Sequence, residues 1–180
     1  VLALVAAPVL AQQDFSKVEV KAEKVAEGIY MLTGSGGNMG LAVGKSGTYL
    51  IDDQYAPLTD KILAAIRAIT PDPVRFVVNT HWHGDHTGGN DAVVAATGAK
   101  LLAHHRIGAK IKGVDRGLQA GDLIKVGRSV ELECLDTPGH TMCHICLRSH
   151  GDRPALFCGD TPFNAGAGNC HNGGDPQALY

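Results

Sequence analysis

The stretch Thr80-His81-Trp82-His83-Gly84-Asp85-His86-Thr87-Gly88-Gly89-Asn90, THWHGDHTGGN, places three imidazoles and a carboxylate within residues 81–86. It follows directly on Arg75-Phe76-Val77-Val78-Asn79, an apolar run that reads as a buried strand. In a loop leaving a strand, His81 and His83 can reach one point in space. Asp85 and His86, further round the same turn, can reach a second, so a single loop can serve two metal ions. Neutral imidazole and carboxylate oxygen suit Zn²⁺, Fe²⁺ or Mn²⁺, and a set without thiolate argues against a structural zinc finger. Asn79 and Thr80 read either as groups that orient the loop or as plain strand-end residues. Trp82 either packs against the loop or lines a substrate mouth.

Outward from this stretch, short β-rich runs at residues 28–32, 41–43 and 48–51 are separated by Gly-containing turns and read as an antiparallel meander. Residues 60–69 read as a helix, with Ile62, Leu63, Ile66 and Ile69 on one face and Pro71 stopping it. Further strands are expected at residues 100–103, 130–135, 144–148 and 155–158. Sheets with helices laid on them predict a layered α/β domain. Two of the strands end in metal-capable groups. Asp136-Thr137-Pro138-Gly139-His140-Thr141 presents a His after a Pro-Gly turn, and Leu156-Phe157-Cys158-Gly159-Asp160-Thr161 ends in Gly-Asp. Three strand ends thus offer ligands at one edge.

HxHxDH, then a GH turn, then a GD turn, in that order over roughly residues 28–174, resembles the metallo-β-lactamase superfamily. The resemblance implies an α/β (α+β) fold, a four-layered αββα sandwich with a metal site at one edge. It assigns His81, His83 and His140 to a first metal and Asp85 and His86 to a second, with Asp160 bridging. The implied cofactors are two Zn²⁺, with Fe or Mn as alternatives in either position. Family members complete the second site with a later His; His171 lies too early for that role, so the ligand is expected beyond Tyr180. Within the superfamily, TPGHTMCHICL (residues 137–147) and LFCGDTPFNAGAGNCHNGG (residues 156–174) look most like the glyoxalase II, or hydroxyacylglutathione hydrolase, group. Where those hydrolases carry a basic and an aromatic residue against glutathione, this chain has Asn169 and His171, which become the candidate substrate contacts.

The implied chemistry is cleavage of a thioester or related acyl bond by a metal-bound hydroxide, since a bound metal lowers the pKa of water from 15.7 to about 7. No serine or cysteine nucleophile is needed. Asp85 is the candidate catalytic residue, both ligand and orienter of the attacking water. Three alternatives stand beside this reading: an iron persulfide dioxygenase using the positions of His81, His140 and Asp160, a β-lactamase of the same superfamily, and a chain that binds metal without turnover. The carboxylate at Asp160 argues against the di-zinc β-lactamases.

A chain of 180 residues with 44% hydrophobic composition and a formal charge of -2 predicts one domain over residues 12–180 with a substantial core. With 16 basic and 18 acidic residues and no basic run, it carries no footprint for nucleic acid or an anionic membrane. A small-molecule acyl or thioester substrate is the expected partner; nothing in the sequence sets the oligomeric state. Residues 1–11 are apolar and resemble the tail of a secretory signal, which places the protein in a periplasm or outside the cell, or in the cytoplasm if the segment is an ordinary strand or helix. They are too few to span a bilayer. At the other end Asp175-Pro176 starts a helix just before the sequence stops, so the chain reads as a fragment.

The other polar residues read as structure. His104-His105 belongs to a loop, His144 to a hydrogen-bonded strand, and Asp52-Asp53 to loop support. The five cysteines leave at least one unpaired in an exported protein. Cys143-His144-Ile145-Cys146 spells a redox spacing but falls on a strand, where core thiols are expected. Cys158 lies close to Asp160 without a catalytic role.

Overall fold

The computed structural model describes residues 13–45, 47–127, 130–163 and 165–180; the segment read as a signal remnant lies outside them. A meander of β1 (Lys21–Ala26), β2 (Ile29–Thr33), β3 (Met39–Gly44) and β4 (Gly47–Ile51) opens the chain. Helix α1 (Thr59–Ile69) then crosses to β5 (Val74–Val78), and α2 (Gly84–Thr87) with α3 (Asn90–Thr97) crosses to β6 (Lys100–His104) and β7 (Arg116–Leu118). These seven strands form one sheet in chain order, antiparallel through β4 and parallel from β4 to β7. The change of sense follows from the connections, because parallel neighbours need a crossover and the helices supply it. A second, antiparallel sheet has the order β11-β10-β9-β8, from β8 (Leu123–Val126), β9 (Val130–Asp136), β10 (Ile145–Ser149) and β11 (Leu156–Phe157). The helix expected after Asp175 is α4 (Pro176–Leu179), capped by the Asp175 side chain accepting from the Gln177 amide at 2.8 Å.

Alternation along the central strands splits the core in two. Leu50, Val77 and Leu101 face the helices and pack with Leu58, Ile62, Ile66 and Val93. Their neighbours Ile51, Val78 and Leu102 face the second sheet and pack with Leu132, Ile145 and Leu147. β4 is buried at every position, as a strand covered on both faces must be. Leu50 is fully buried in the helix-facing core, so Leu50→Ala is expected to cost about 2–5 kcal/mol, read as a lower urea midpoint at unchanged slope.

The outer face of the second sheet is polar. Lys125, Glu131, Glu133 and Arg148 remain at least partly exposed there, with ion pairs Arg148–Glu133 and Lys125–Glu131 across strands. One helical layer and both sheets of the sandwich are therefore in place; no helix that would cover this face is among the described elements. No helix among the described residues is long and apolar enough to cross a membrane. The ends of β4, β5, β9 and β11 come together at one rim, and the candidate ligands sit on it.

Candidate metal centre

Asp52, just past β4, organises the rim. It is 1% exposed and takes a positive φ of 60°, which turns its carboxylate back over the sheet end. Its two oxygens accept from the Thr80 amide at 2.8 Å, the Thr80 hydroxyl at 2.7 Å and His86 Nδ1 at 2.8 Å. Asn79 adds a bond from its side-chain amide to the His86 carbonyl at 3.3 Å, and Asn90 donates to Asn79 at 2.8 Å. Asn79 and Thr80 thus orient the loop. His83 precedes α2, and Asp85 and His86 lie within it.

These bonds decide which nitrogen each imidazole presents. Thr80 gives its only hydroxyl proton to Asp52, so at 3.1 Å it accepts from His81 Nδ1–H and leaves His81 Nε2 free. His86 donates through Nδ1 to Asp52 and also presents Nε2. The Asn169 carbonyl, 2.5 Å from His140 Nδ1, can only accept, so His140 presents Nε2. The Asn172 carbonyl, 3.1 Å from His83 Nε2, fixes the opposite tautomer, and His83 presents Nδ1. His83 Nδ1 and His140 Nε2 then face each other at 2.9 Å with two lone pairs and no proton between them. Such a pair is repulsive unless a cation sits against it.

The donors fall into two overlapping groups, His81–His83–His140 and His81–His86–Asp160, whose ligand atoms lie within 4.8 Å of one another. Asp160 stands between them, Oδ1 3.2 Å from His86 Nε2 and Oδ2 3.5 Å from His140 Nε2. His81 Nε2 and His86 Nε2 are buried without a hydrogen-bond partner; the approach of Asp160 to His86 is an electrostatic contact. Asp85 lies outside the tight groups, 3.7 Å from His86 Nε2 and about one-third exposed. Buried donors left open and convergent on one point are what a divalent ion requires.

Burial, reinforced by the neighbouring imidazoles, holds His81 far below the ordinary histidine range and also lowers His140. His86 goes the other way: burial opposes its charge, but Asp52 and Asp160 outweigh it and push the pKa up to about 10. A proton on His86 Nε2 is the simplest cation this corner can hold. Burial would raise Asp160, but the His86 contact keeps its carboxyl below the usual range. His144, lowered to about 3 by burial and then by His140, points its Nε2 at the Asp160 amide (3.1 Å) and its Nδ1 at Thr137 and Thr161 (2.8 and 3.0 Å). It holds the Gly-Asp turn, the structural role read from the sequence.

A pH dependence of metal-free stability follows. His81 and His144 stay neutral when folded but take up protons when unfolded, so their contribution is complete above pH 6.5 and is lost as pH falls toward about 3. His86 has its folded pKa raised, so its contribution is complete below pH 6.5 and is lost as pH rises through about 10. In chelator, thermal stability is expected to peak near pH 6.5 and to fall on both sides by about 1.4 kcal/mol per pH unit per histidine. A melting temperature that is flat from acid to alkali would contradict these assignments.

The six ligands expected from the sequence all reach this rim. Asn169 and Asn172 border a polar cleft of about 460 Å³ over it, with Tyr55, Trp82, Gly84 and Asp85. His171 is exposed and outside that lining; its amide bonds to Asn169 Oδ1 at 3.1 Å. His104 sits elsewhere, its Nε2 3.5 Å from Asp136 and its Nδ1 accepting from the Arg106 amide. All five cysteines are free thiols, and burial raises Cys146 and Cys158 and pushes Cys134 up to about 12. Gln54 was not legible in the sequence. Its side chain bonds to Ser35 and Gly37 and presses the β2–β3 loop onto His86, where a Cβ on Gly37 would lie 2.3 Å from the ring.

The Metallo-beta-lactamase superfamily model matches residues 32–180, and the chain belongs to that superfamily. A protein named hydroxyacylglutathione hydrolase from Polaromonas sp. is 69% identical over 121 residues, 67% of this chain and 46% of its own length. Another of that name from Nitrosococcus oceani is 67% identical over 104 residues, 58% of this chain and 40% of its own. The fold matches that of a class B3 di-zinc metallo-beta-lactamase from an Alaskan soil metagenome, with a TM-score of 0.69 at 22% identity, over 84% of this chain and 66% of the other. The chain spans less than half the length of these two hydrolases.

Proposed function

We propose that the protein is a metal-dependent thioester hydrolase of the glyoxalase II kind, built around two divalent ions, zinc by the nature of its donors. The observation that carries this reading is the convergence of four imidazole nitrogens, freed by hydrogen bonds on their far sides, with the Asp160 carboxylate between them. The high identity to proteins named hydroxyacylglutathione hydrolase supports the thioester class. His81 has a single free nitrogen and so serves one ion, with His83 Nδ1 and His140 Nε2. His86 and Asp85 would be left to hold the other, with Asp160, which lies close to both His86 and His140, available to either. When bound, the ions supply Lewis-acid charge and lower the pKa of water from 15.7 toward about 7.

The chain's own groups then set the geometry. Asp85, partly exposed at the cleft floor, accepts a hydrogen bond from the attacking water and aims it. Asp52 and Thr80 hold His81 and His86 in their presenting tautomers while substrate charge builds up beside them. Lys110 lies 4.3 Å over the Trp82 ring at the rim and favours an anionic thioester. The test is hydrolysis of S-lactoylglutathione by the metal-replete protein beside a chromogenic cephalosporin. Thioester turnover is expected. Cephalosporin turnover alone would make it a β-lactamase, and bound iron with oxygen uptake on glutathione persulfide would make it a dioxygenase.

A further inference from the structure

The glycine-rich segment Gly168-Asn169-Cys170-His171-Asn172-Gly173-Gly174 reaches the metal centre through its backbone. Its Asn169 carbonyl takes the His140 Nδ1 proton and its Asn172 carbonyl takes the His83 Nε2 proton. The segment is stitched to the turns it serves. The Gly168 amide donates to the Asp160 carbonyl at 2.9 Å, the Met142 amide to the Gly173 carbonyl at 3.3 Å, and the Asp175 amide to the Gly139 carbonyl at 2.8 Å. Side chains are excluded where it comes closest. A Cβ on Gly168 would lie 2.5 Å from His140 Nδ1 and 2.3 Å from the Asp160 carbonyl oxygen, and one on Gly174 would lie 2.2 Å from the Gly139 oxygen.

We propose that residues 168–174 form a main-chain clamp that selects the metal-binding tautomers of His83 and His140, and that this role, rather than side-chain contact with substrate, explains the glycines. The two imidazoles need opposite tautomers, Nδ1 presented by His83 and Nε2 by His140, and one loop fixes both. Asn169 and Asn172 act as positioning residues through their carbonyls. The proposal rests on the metal-centre part of the functional reading and is independent of which bond is cleaved.

Its test begins with long-range ¹H–¹⁵N correlation spectra of the histidine side chains in the metal-free protein, followed by zinc affinity from chelator competition. The expected spectra show His83 protonated at Nε2 and His140 at Nδ1 before any metal is added. Gly168→Ala is expected to weaken the ion held by His81, His83 and His140 by about tenfold to a hundredfold. Asn172→Ala, which keeps the carbonyl, should retain the His83 tautomer. Rapid exchange of both imidazoles between tautomers in the unaltered protein would overturn the proposal, as would a folded Gly168→Ala protein with unchanged zinc affinity. Should that variant fail to fold, the spectra of the unaltered protein decide. Correct tautomers with no thioester hydrolysis would leave the clamp standing and remove the substrate assignment.

Discussion

Asp85→Ala is expected to lower kcat for thioester hydrolysis by about 10²- to 10⁴-fold, the range for loss of a positioned proton-handling group. The fold should not notice. Asp85 is about one-third exposed, its nearest charged neighbour is His86 Nε2 at 3.7 Å, and it sits outside both tight donor groups. The imidazoles of the first group keep all their partners, so at least one ion should stay bound. The effect therefore falls on kcat more than on KM, and the measurement is steady-state kinetics on metal-replete protein with metal content checked in parallel. Turnover within about threefold of the unaltered protein, with metal present, would remove Asp85 from the mechanism.

Asp52→Ala carries the largest expected loss of stability. One buried carboxylate accepts from the Thr80 amide, the Thr80 hydroxyl and His86, and its removal strands all three in a dry environment. Breaking such a buried charged network costs about 3–5 kcal/mol, measured as a fall in the urea midpoint of the metal-free protein. A second consequence separates this from ordinary destabilisation. Without Asp52, Thr80 no longer spends its proton, so the His81 tautomer is released, and His86 loses the partner that directs its Nε2 to the rim. Zinc content should fall together with stability. A loss below about 1 kcal/mol with full zinc content would contradict the role assigned to Asp52.

Much of the site was legible because its chemistry is local in sequence. His81, His83, Asp85 and His86 occupy one strand-to-helix turn, and His140 and Asp160 each follow a strand whose apolar pattern marks it. The meander, the helix ending before Pro71 and the strand into the His-rich loop were legible for the same reason: each has a strong period or a stop signal. Other elements carry no such signal. β1, Lys-Ala-Glu-Lys-Val-Ala, is almost wholly exposed, an edge strand held by pairing with β2 rather than by burial, and its lysines suit an edge. α3 begins inside the motif at Asn90 and buries only Asn90 and Val93, too little to show a helical face.

Three of the four presenting nitrogens were beyond sequence reasoning, because a partner distant along the chain sets each: Asp52 for His86, Asn169 for His140 and Asn172 for His83; the fourth, on His81, is set by its neighbour Thr80, but only because Asp52 takes the Thr80 proton. Asn169 shows the same limit from the other side. The resemblance marks it as a candidate substrate contact and it does border the cleft, but the bond from His140 falls on its carbonyl, a group that every residue has. Gln54 and Asp52 both take positive φ values; aspartate visits that region more readily than most residues, whereas glutamine has no such preference. Tertiary hydrogen bonds fix those two conformations, and the loop over His86 depends on them.

The freed nitrogens of His81, His83 and His140 should together hold a metal ion. Zinc bound per chain, measured by elemental analysis after saturation and removal of loose ion, tests this most directly when the unaltered protein is compared with His140→Ala. About two zinc ions per chain are expected in the unaltered protein, with a clear loss in the variant. No retained zinc in the unaltered protein, or equal zinc in the two, would contradict that expectation.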